Sequence, residues 1–344
     1  MSVKLSFIGI KSLNNLIRNQ YKVGNLEGLN DEKIIAQLQI LREKVGESGT
    51  DIASYLEGMN YSRLTTYWDY IHLDTLLSLQ NPKTNQPDEF IFIAYHQITE
   101  LYFKLTLWEL QQLCNEQELK EDELIIKLQR INNYFEQLVN SFEVMSQGVD
   151  REQFLKFRLS ILPASGFQSV QFRMIEIYCT DLYNLVDKDL REGLEGDHIT
   201  EELYEHIYWK QGATEVISGE KTITLKHFEE KYSDQLLKLS LDLQSKNLNR
   251  IAEEFVPKAQ KKDEIISLLR QFDEQINIGW ALAHFKSAVK HLQRKHNAIA
   301  STGGTNWQHY LPPRFQKKVF FPNLWSAEEL ESWGKTWVEK VLEK

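Results

Sequence analysis

Arg158, His96 and His284 are the residues whose types and settings could do chemistry. Arg158 closes the run Phe154-Leu-Lys-Phe-Arg158, and on a helix Phe154 and Arg158, four apart, share a face. A guanidinium grips a carboxylate as a two-pronged fork, so this pair suits a ligand that is both aromatic and anionic; a solvated surface arginine is the alternative. The stretch Leu162-Pro-Ala-Ser-Gly-Phe-Gln-Ser-Val-Gln-Phe-Arg173 follows at once. Its Pro/Ser/Gly break before an amphipathic run reads as a loop feeding a helix N-terminus, with unpaired N–H groups and a positive dipole. His96 lies four residues after Phe92 in a strongly apolar helical run, where an imidazole needs a partner: a backbone carbonyl or a ligand. His284 sits mid-helix between Trp280 and Phe285. A neutral imidazole there can ligate a metal through one ring nitrogen and hydrogen-bond through the other, or can be an ordinary core histidine. His291 shares the His284 face and His296 does not. The spacing is not that of a His-Glu-x-x-His zinc site, and no cysteine cluster accompanies it.

Positioning these residues calls for long helices. The chain has 344 residues, 42% of them apolar, enough for one large core or two modest ones. Only 16 Gly and 7 Pro favour helices over turn-rich β structure, and 8 Trp, 14 Tyr and 17 Phe allow an aromatic-lined pocket. A formal charge of −9 argues against a nucleic-acid partner, which needs clustered Lys and Arg. No apolar run approaches a membrane span or a signal peptide, so no membrane association is expected. Cys114 and Cys179 lack metal or redox spacing, and a reduced, cytoplasmic protein is the plain expectation. Residues 1–60 read as a polar N-terminal extension or arm, with a helix over 31–44. A short helix is expected over 65–80, with Tyr67, Tyr70 and Ile71 among its apolar and aromatic positions. Longer ones are expected over 88–116, 121–145, 168–187, 234–251 and 263–297, and a last one over 327–342. The 88–116 helix is apolar all round through Phe103, which predicts burial. Gly212, Gly219 and the β-leaning run Lys221–Leu225 mark 207–228 as an inserted excursion holding whatever strand the chain has. The sum is an all-α bundle of long helices, with residues 61–344 as a single helical domain around a pocket between helices.

Taken in order, Thr66-Tyr-Trp-Asp-Tyr-Ile-His-Leu-Asp74, the run Pro87 to Lys104, the Phe154–Arg173 stretch, Trp280-Ala-Leu-Ala-His284 and Thr302-Gly-Gly-Thr305 resemble the tryptophan 2,3-dioxygenase family of haem enzymes. The resemblance runs from about Thr66 to about Thr305. It implies haem b, one per subunit, with His284 as the axial ligand of the iron. It implies that Phe92 contacts the substrate ring, and that His96 hydrogen-bonds the indole N–H without acting as an obligatory base. Arg158, beside Phe154, becomes the carboxylate anchor. Ser165 and Gly166 become a loop against the haem edge, and Thr302 a contact to the amino acid's ammonium or carboxylate. Tyr67, Tyr70 and Ile71 become pocket residues supplied by a neighbouring subunit, which implies a homo-oligomer, a tetramer. The chain departs from the family pattern at Ala281 and Ala283, at Pro87, and at Thr305-Asn306-Trp307.

The resemblance therefore implies a haem-dependent dioxygenase of tryptophan catabolism and the kynurenine pathway. With O₂ it cleaves the C2–C3 bond of the indole of L-tryptophan to give N-formylkynurenine. A haem-dependent hydroxylase of another aromatic amino acid or of a substituted tryptophan is the alternative within the same fold. A non-catalytic haem sensor or carrier is an alternative of another class, although it has no use for the Arg158–Phe154 clamp.

Overall fold

The computed structural model describes residues 31–47, 49–61, 65–116, 118–194, 199–214, 219–293 and 311–335. The chain forms two compact units, Met1–Leu79 and Gln80–Lys344. The first unit contains helices α1 (Glu32–Glu47), α2 (Ile52–Tyr61), α3 (Tyr67–Tyr70) and α4 (Leu73–Leu77). Among its described residues only Val45 is buried. Thr66 caps α3, accepting the Asp69 N–H at 3.4 Å.

The second unit is helical throughout its described residues. Its main elements are α5 (Asp88–Asn115), α6 (Glu121–Ser141), α7 (Arg151–Phe157), α8 (Val170–Cys179), α9 (Ile223–Leu243), α10 (Leu248–Phe255), α11 (Lys262–Glu274) and α12 (Ala281–Leu292). α5 packs on α6 and α8, α6 on α11, and α8 on α9. The expected stripe of α6 (Leu124, Ile125, Leu128, Ile131, Phe135 and Leu138) is buried along its length against Leu110, Phe272 and their neighbours. α5 is a different case. Its face formed by Ile98, Leu101, Leu105 and Trp108 is exposed, because a helix apolar on every side has one side left over when neighbours cover the others.

Two expectations are corrected. The described residues of 207–228 pack into the body of the unit: Trp209, Leu225 and Phe228 are buried in the main core. Nor do they form a strand. Among the described residues there are only two isolated bridges, Val186–Ile207 and Thr214–Lys221. The β-branched run after Lys221 misleads because Thr222 is a helix cap. Its hydroxyl accepts from the Leu225 N–H at 3.2 Å and donates to the Ala213 carbonyl at 2.8 Å, starting α9 at Ile223. The helix expected over 234–251 also breaks, with Asn247 capping α10. The long late helix runs through a π-helical stretch, Gln275–Trp280, before continuing as α12.

Two polar linkages set the geometry around the candidate site. Asp88 and Asp150 tie the starts of α5 and α7 together. Asp88 accepts the Asp150 N–H at 2.7 Å, and Gln153 accepts the Asp88 N–H at 3.1 Å. Asp150 meanwhile caps α7 by accepting from Glu152 and Gln153, each at 3.0 Å. The second linkage is the buried carboxylate of Asp273 on α11. It accepts the N–H groups of Phe320 (2.9 Å) and Phe321 (3.1 Å), the Trp325 indole N–H (3.1 Å) and the Asn277 amide (2.7 Å). Burial raises its pKa above the ordinary carboxylate value, and the donors work against that rise. Asp273→Ala should therefore lower stability by about 3 kcal/mol or more, since each stranded buried donor costs roughly 1–3 kcal/mol. Urea unfolding with an unchanged slope reads the loss directly, and a loss below about 1 kcal/mol would refute this role for Asp273.

Candidate active site

α5, the loop following α7, α8 and α12 enclose a cavity of about 450 Å³, within the range of small-molecule and cofactor sites. Its wall is largely aromatic and includes Phe92, Phe103, Phe142, Phe154, Phe172 and Trp280. Phe92 packs against Phe154 at 6.2 Å and Phe157 at 5.5 Å between ring centroids, a consequence of the paired starts of α5 and α7. Trp280, at the end of the π-helical stretch, meets Phe142 at 5.0 Å and Phe103 at 5.8 Å, edge to face.

Two histidines face this space with different hydrogen-bonding states. The Nδ1 of His96 lies 2.7 Å from the Phe92 carbonyl one turn earlier. A carbonyl only accepts, so Nδ1 carries the proton and Nε2 is left as a bare acceptor. The ring stacks on Phe92 at 4.0 Å, and its accessible surface faces the cavity. Burial among these groups pushes the His96 imidazole below its ordinary pKa, opposed by the Phe92 carbonyl and by Glu100. His284 has no hydrogen bond at either ring nitrogen among the described residues. Burial, with His96 nearby, pushes it down to about 4, so it is neutral near pH 7. His291, one of the alternatives for a metal ligand, has both nitrogens beside backbone carbonyls: Nδ1 at 2.8 Å from Ser287 and Nε2 at 3.2 Å from Val149. Carbonyls occupy both of its ring nitrogens, and neither ring nitrogen of His284 is so occupied.

The loop after α7 reaches His284. The Gln168 side chain accepts the Ser165 N–H at 3.0 Å and donates to the Thr224 carbonyl at 3.1 Å, fixing the turn to the start of α9. A Cβ on Gly166 would stand 3.4 Å from His284 Cε1 and 4.0 Å from Nε2, filling space that a ligand of Nε2 needs. A neutral imidazole without a partner, a glycine beside it and an apolar aromatic wall suit haem, whose iron takes a histidine and whose macrocycle takes the wall. A bare metal ion is poorly served, since no group of three His, Cys, Asp or Glu ligands converges among the described residues.

The structure thus places Phe92, His96, Phe154, Ser165, Gly166 and His284 around one cavity. It does not place Arg158 in that wall. α7 ends at Phe157 and Arg158 opens a 3₁₀ turn (Arg158–Ile161), its N–H still bonded to the Phe154 carbonyl one turn earlier. Arg158 is buried, 7% exposed, and burial lowers its guanidinium's pKa. Tyr67, Tyr70 and Ile71 belong to the first unit, where Tyr67 and Tyr70 are 70% and 78% exposed and Ile71 also reaches solvent. Thr302, with its Gly-Gly neighbours and His296, lies outside the described residues. The wall also includes residues to which the sequence assigns no role: Glu100, Arg173, Tyr208 and Lys318. Arg173 ends the Leu162–Arg173 stretch and stands three residues before Glu176, an i,i+3 ion pair that the sequence does show.

Known proteins resemble this chain over most of its length. The family profile for tryptophan 2,3-dioxygenase matches residues 56–277, most of the chain, ending before His284. The tryptophan 2,3-dioxygenase of a Ruegeria species is 27% identical over 284 residues, covering 78% of this chain and 93% of its own length. That of Bacillus thuringiensis subsp. konkukian is 28% identical over 279 residues, covering 76% and 91%. A shorter match of 130 residues to the Sorangium cellulosum enzyme reaches 40% identity, covering 34% of this chain. Among the described residues no helix is long and apolar enough to cross a membrane. With the profile spanning well over half of the chain, and two relatives matched over nearly their whole length, the chain belongs to the tryptophan 2,3-dioxygenase family.

Proposed function

We propose that the protein binds haem b through His284 and cleaves the indole C2–C3 bond of L-tryptophan with O₂, giving N-formylkynurenine. The observation that carries this reading is the pair of cavity-facing histidines. One has an uncommitted lone pair for iron. The other is locked as an acceptor that suits an indole N–H. When bound, haem supplies the O₂ chemistry. The chain's own residues bind and orient. Phe92 and Phe154 offer faces to the indole, and His96 Nε2 accepts its N–H and so fixes which edge of the ring points inward. The apolar wall excludes water. Arg158 is the proposed carboxylate anchor and Thr302 a contact to the amino-acid end, both on the family resemblance. Ser165 and Gly166 flank the haem edge beside His284.

The test is a spectrum of the reduced, haem-loaded protein with L-tryptophan and O₂. The near-ultraviolet band of N-formylkynurenine should grow, and labelling should place both oxygens of one O₂ molecule in the product. Incorporation of a single oxygen would move the protein to the hydroxylase reading, and absence of turnover to that of a sensor or carrier.

His284→Ala should purify with little haem. Arg158→Ala should keep its haem and lose about 10²-fold or more in kcat/KM, as removing one partner of a desolvated ion pair costs roughly 3–5 kcal/mol. Full haem with an unchanged spectrum in the first variant, or near-normal kcat/KM in the second, would overturn the assignment concerned.

We also propose a homotetramer. Supporting it are the exposed Ile98, Leu101, Leu105 and Trp108 face of α5 and the exposed aromatic residues of α3, more apolar surface than a monomer usually leaves open. Light scattering at assay concentration should give four chains per particle; an active monomer would refute it.

A further inference from the structure

The Val149–Asp150 peptide is gripped from two sides. Its N–H donates to Asp88 on α5 at 2.7 Å. Its carbonyl oxygen lies 3.2 Å from the Nε2 of His291, in the last turn of α12. One peptide group thus joins the helices that carry His96 and His284, and it does so at the entry to α7. Asp150 caps that helix with its side chain, and its own carbonyl accepts the Phe154 N–H at 2.9 Å. The Phe154 ring in turn meets the His291 ring at 5.0 Å between centroids. His291 is buried, 2% exposed, and lines the cavity on the helix that carries His284.

We infer that His291 is a positioning residue: with a proton on each ring nitrogen it holds the Val149–Asp150 peptide against Asp88 and so sets where Phe154 stands in the cavity. The part of Phe154 in holding the indole rests on the reading above; the grip on the peptide does not. A neutral imidazole has one N–H and one lone pair. Here a carbonyl faces each nitrogen, that of Ser287 at 2.8 Å from Nδ1 and that of Val149 at 3.2 Å from Nε2. Either neutral tautomer sets a lone pair against a carbonyl oxygen, whereas the doubly protonated ring donates to both. The Ser287 hydroxyl, 3.5 Å from Nδ1, is too distant to displace the carbonyl. The charge also finds favourable surroundings. The last turn of α12 is the negative end of its dipole, and the Asp88 carboxylate stands across the peptide, so that cation, peptide and anion polarise one another. Two cations oppose it: Lys290, which donates to the Ser146 carbonyl, and Arg151, which donates to that of Gln293 at 3.4 Å. α12 packs on α7, on the short helix Glu143–Ser146 and on the π-helical stretch, which carries no charged residue. The remaining charged residues of these elements, Glu143, Glu152, Lys156 and Lys286, are exposed.

The experiment compares the full-length protein with His291→Phe, which keeps a ring beside Phe154 and removes both donors, and His291→Gln, which keeps an amide donor and takes no proton. Circular dichroism checks the fold of each. Nitrogen NMR of histidine-labelled protein, with the His291 signals identified by their loss in His291→Gln, follows the ring from about pH 5 to 8, where histidine ordinarily changes charge. Both ring nitrogens should be protonated at the acid end, and a bare nitrogen throughout overturns the inference. Hydrogen exchange at the Asp150 and Phe154 amides should be about tenfold faster in His291→Phe, because a charge-assisted hydrogen bond is gone. Unchanged exchange overturns the grip. L-Tryptophan should bind the wild type about tenfold more weakly once rising pH removes the proton, and the variants should show no such trend. The sign separates His291 from His96, whose protonation at low pH would remove the acceptor for the indole N–H and weaken binding there. Faster exchange with an unmoved tryptophan affinity overturns the step from the grip to Phe154. A wild type that binds no tryptophan overturns the reading above instead, and NMR and exchange then decide the grip. If His291→Phe does not fold, exchange and binding are read in His291→Gln, with the same signs.

Discussion

A histidine that ligates iron must reach it neutral and with a lone pair to give, and the inner structure follows from keeping His284 in that state. Protonation would place a positive charge against Phe142 and Trp280 in an apolar space, and burial accordingly lowers its pKa to about 4. Neutrality alone is not enough, since a neutral imidazole donates or accepts wherever it can. Among the described residues the surrounding helices offer His284 nothing to bond. His291 has a backbone carbonyl beside each ring nitrogen and His96 has one. The same residue type thus stands in three settings within one cavity: both ring nitrogens open, one open and none open. The difference comes from which carbonyls each ring can reach.

Those states depend on helix placement, which polar contacts outside the cavity control. The exchange between Asp88, Asp150 and Gln153 fixes the starts of α5 and α7, bringing the Phe92 and Phe154 rings together. The π-helical stretch Gln275–Trp280 adds a residue to the turn and resets the phase of α12, so that Trp280 and His284 face the cavity while Leu282 turns to a separate apolar cluster with Trp325 and Trp333. Asp273, two residues before that stretch, carries the segment around Phe320 and with it Lys318. One late helix therefore positions an imidazole on one part of the wall and an ammonium on another.

Much of this was legible in the sequence, and the failures have physical causes. Periodicity located α5 and α6 to within a few residues, because a strong apolar stripe survives any tertiary detail. The grouping of Phe92, His96, Gly166 and His284 was reachable only through ordered motifs, since no local pattern says that residues far apart in the chain meet. The run after Lys221 misled because β-branched residues favour strands on their own, whereas Thr222 found a carbonyl on a distant turn and became a cap. Arg158 was assigned to the Phe154 face by helical spacing, and its N–H bonds the Phe154 carbonyl one turn earlier. The Arg173–Lys318 cluster joins α8 to a segment more than a hundred residues later, which no spacing rule anticipates.

The cavity's polarity is sparse, and that bears on what can bind. The aromatic wall rewards any flat apolar body roughly in proportion to the surface it hides, without choosing among them. Choice comes from groups that lose something when the wrong ligand enters. The bare Nε2 of His96 gives up water on closure and is repaid only by a donor on the ligand's ring. A molecule that lacks such a donor leaves this group stranded. Discrimination therefore rests on a polar demand set within apolar surface, and its position, fixed by the paired starts of α5 and α7, is as much a recognition element as the demand itself.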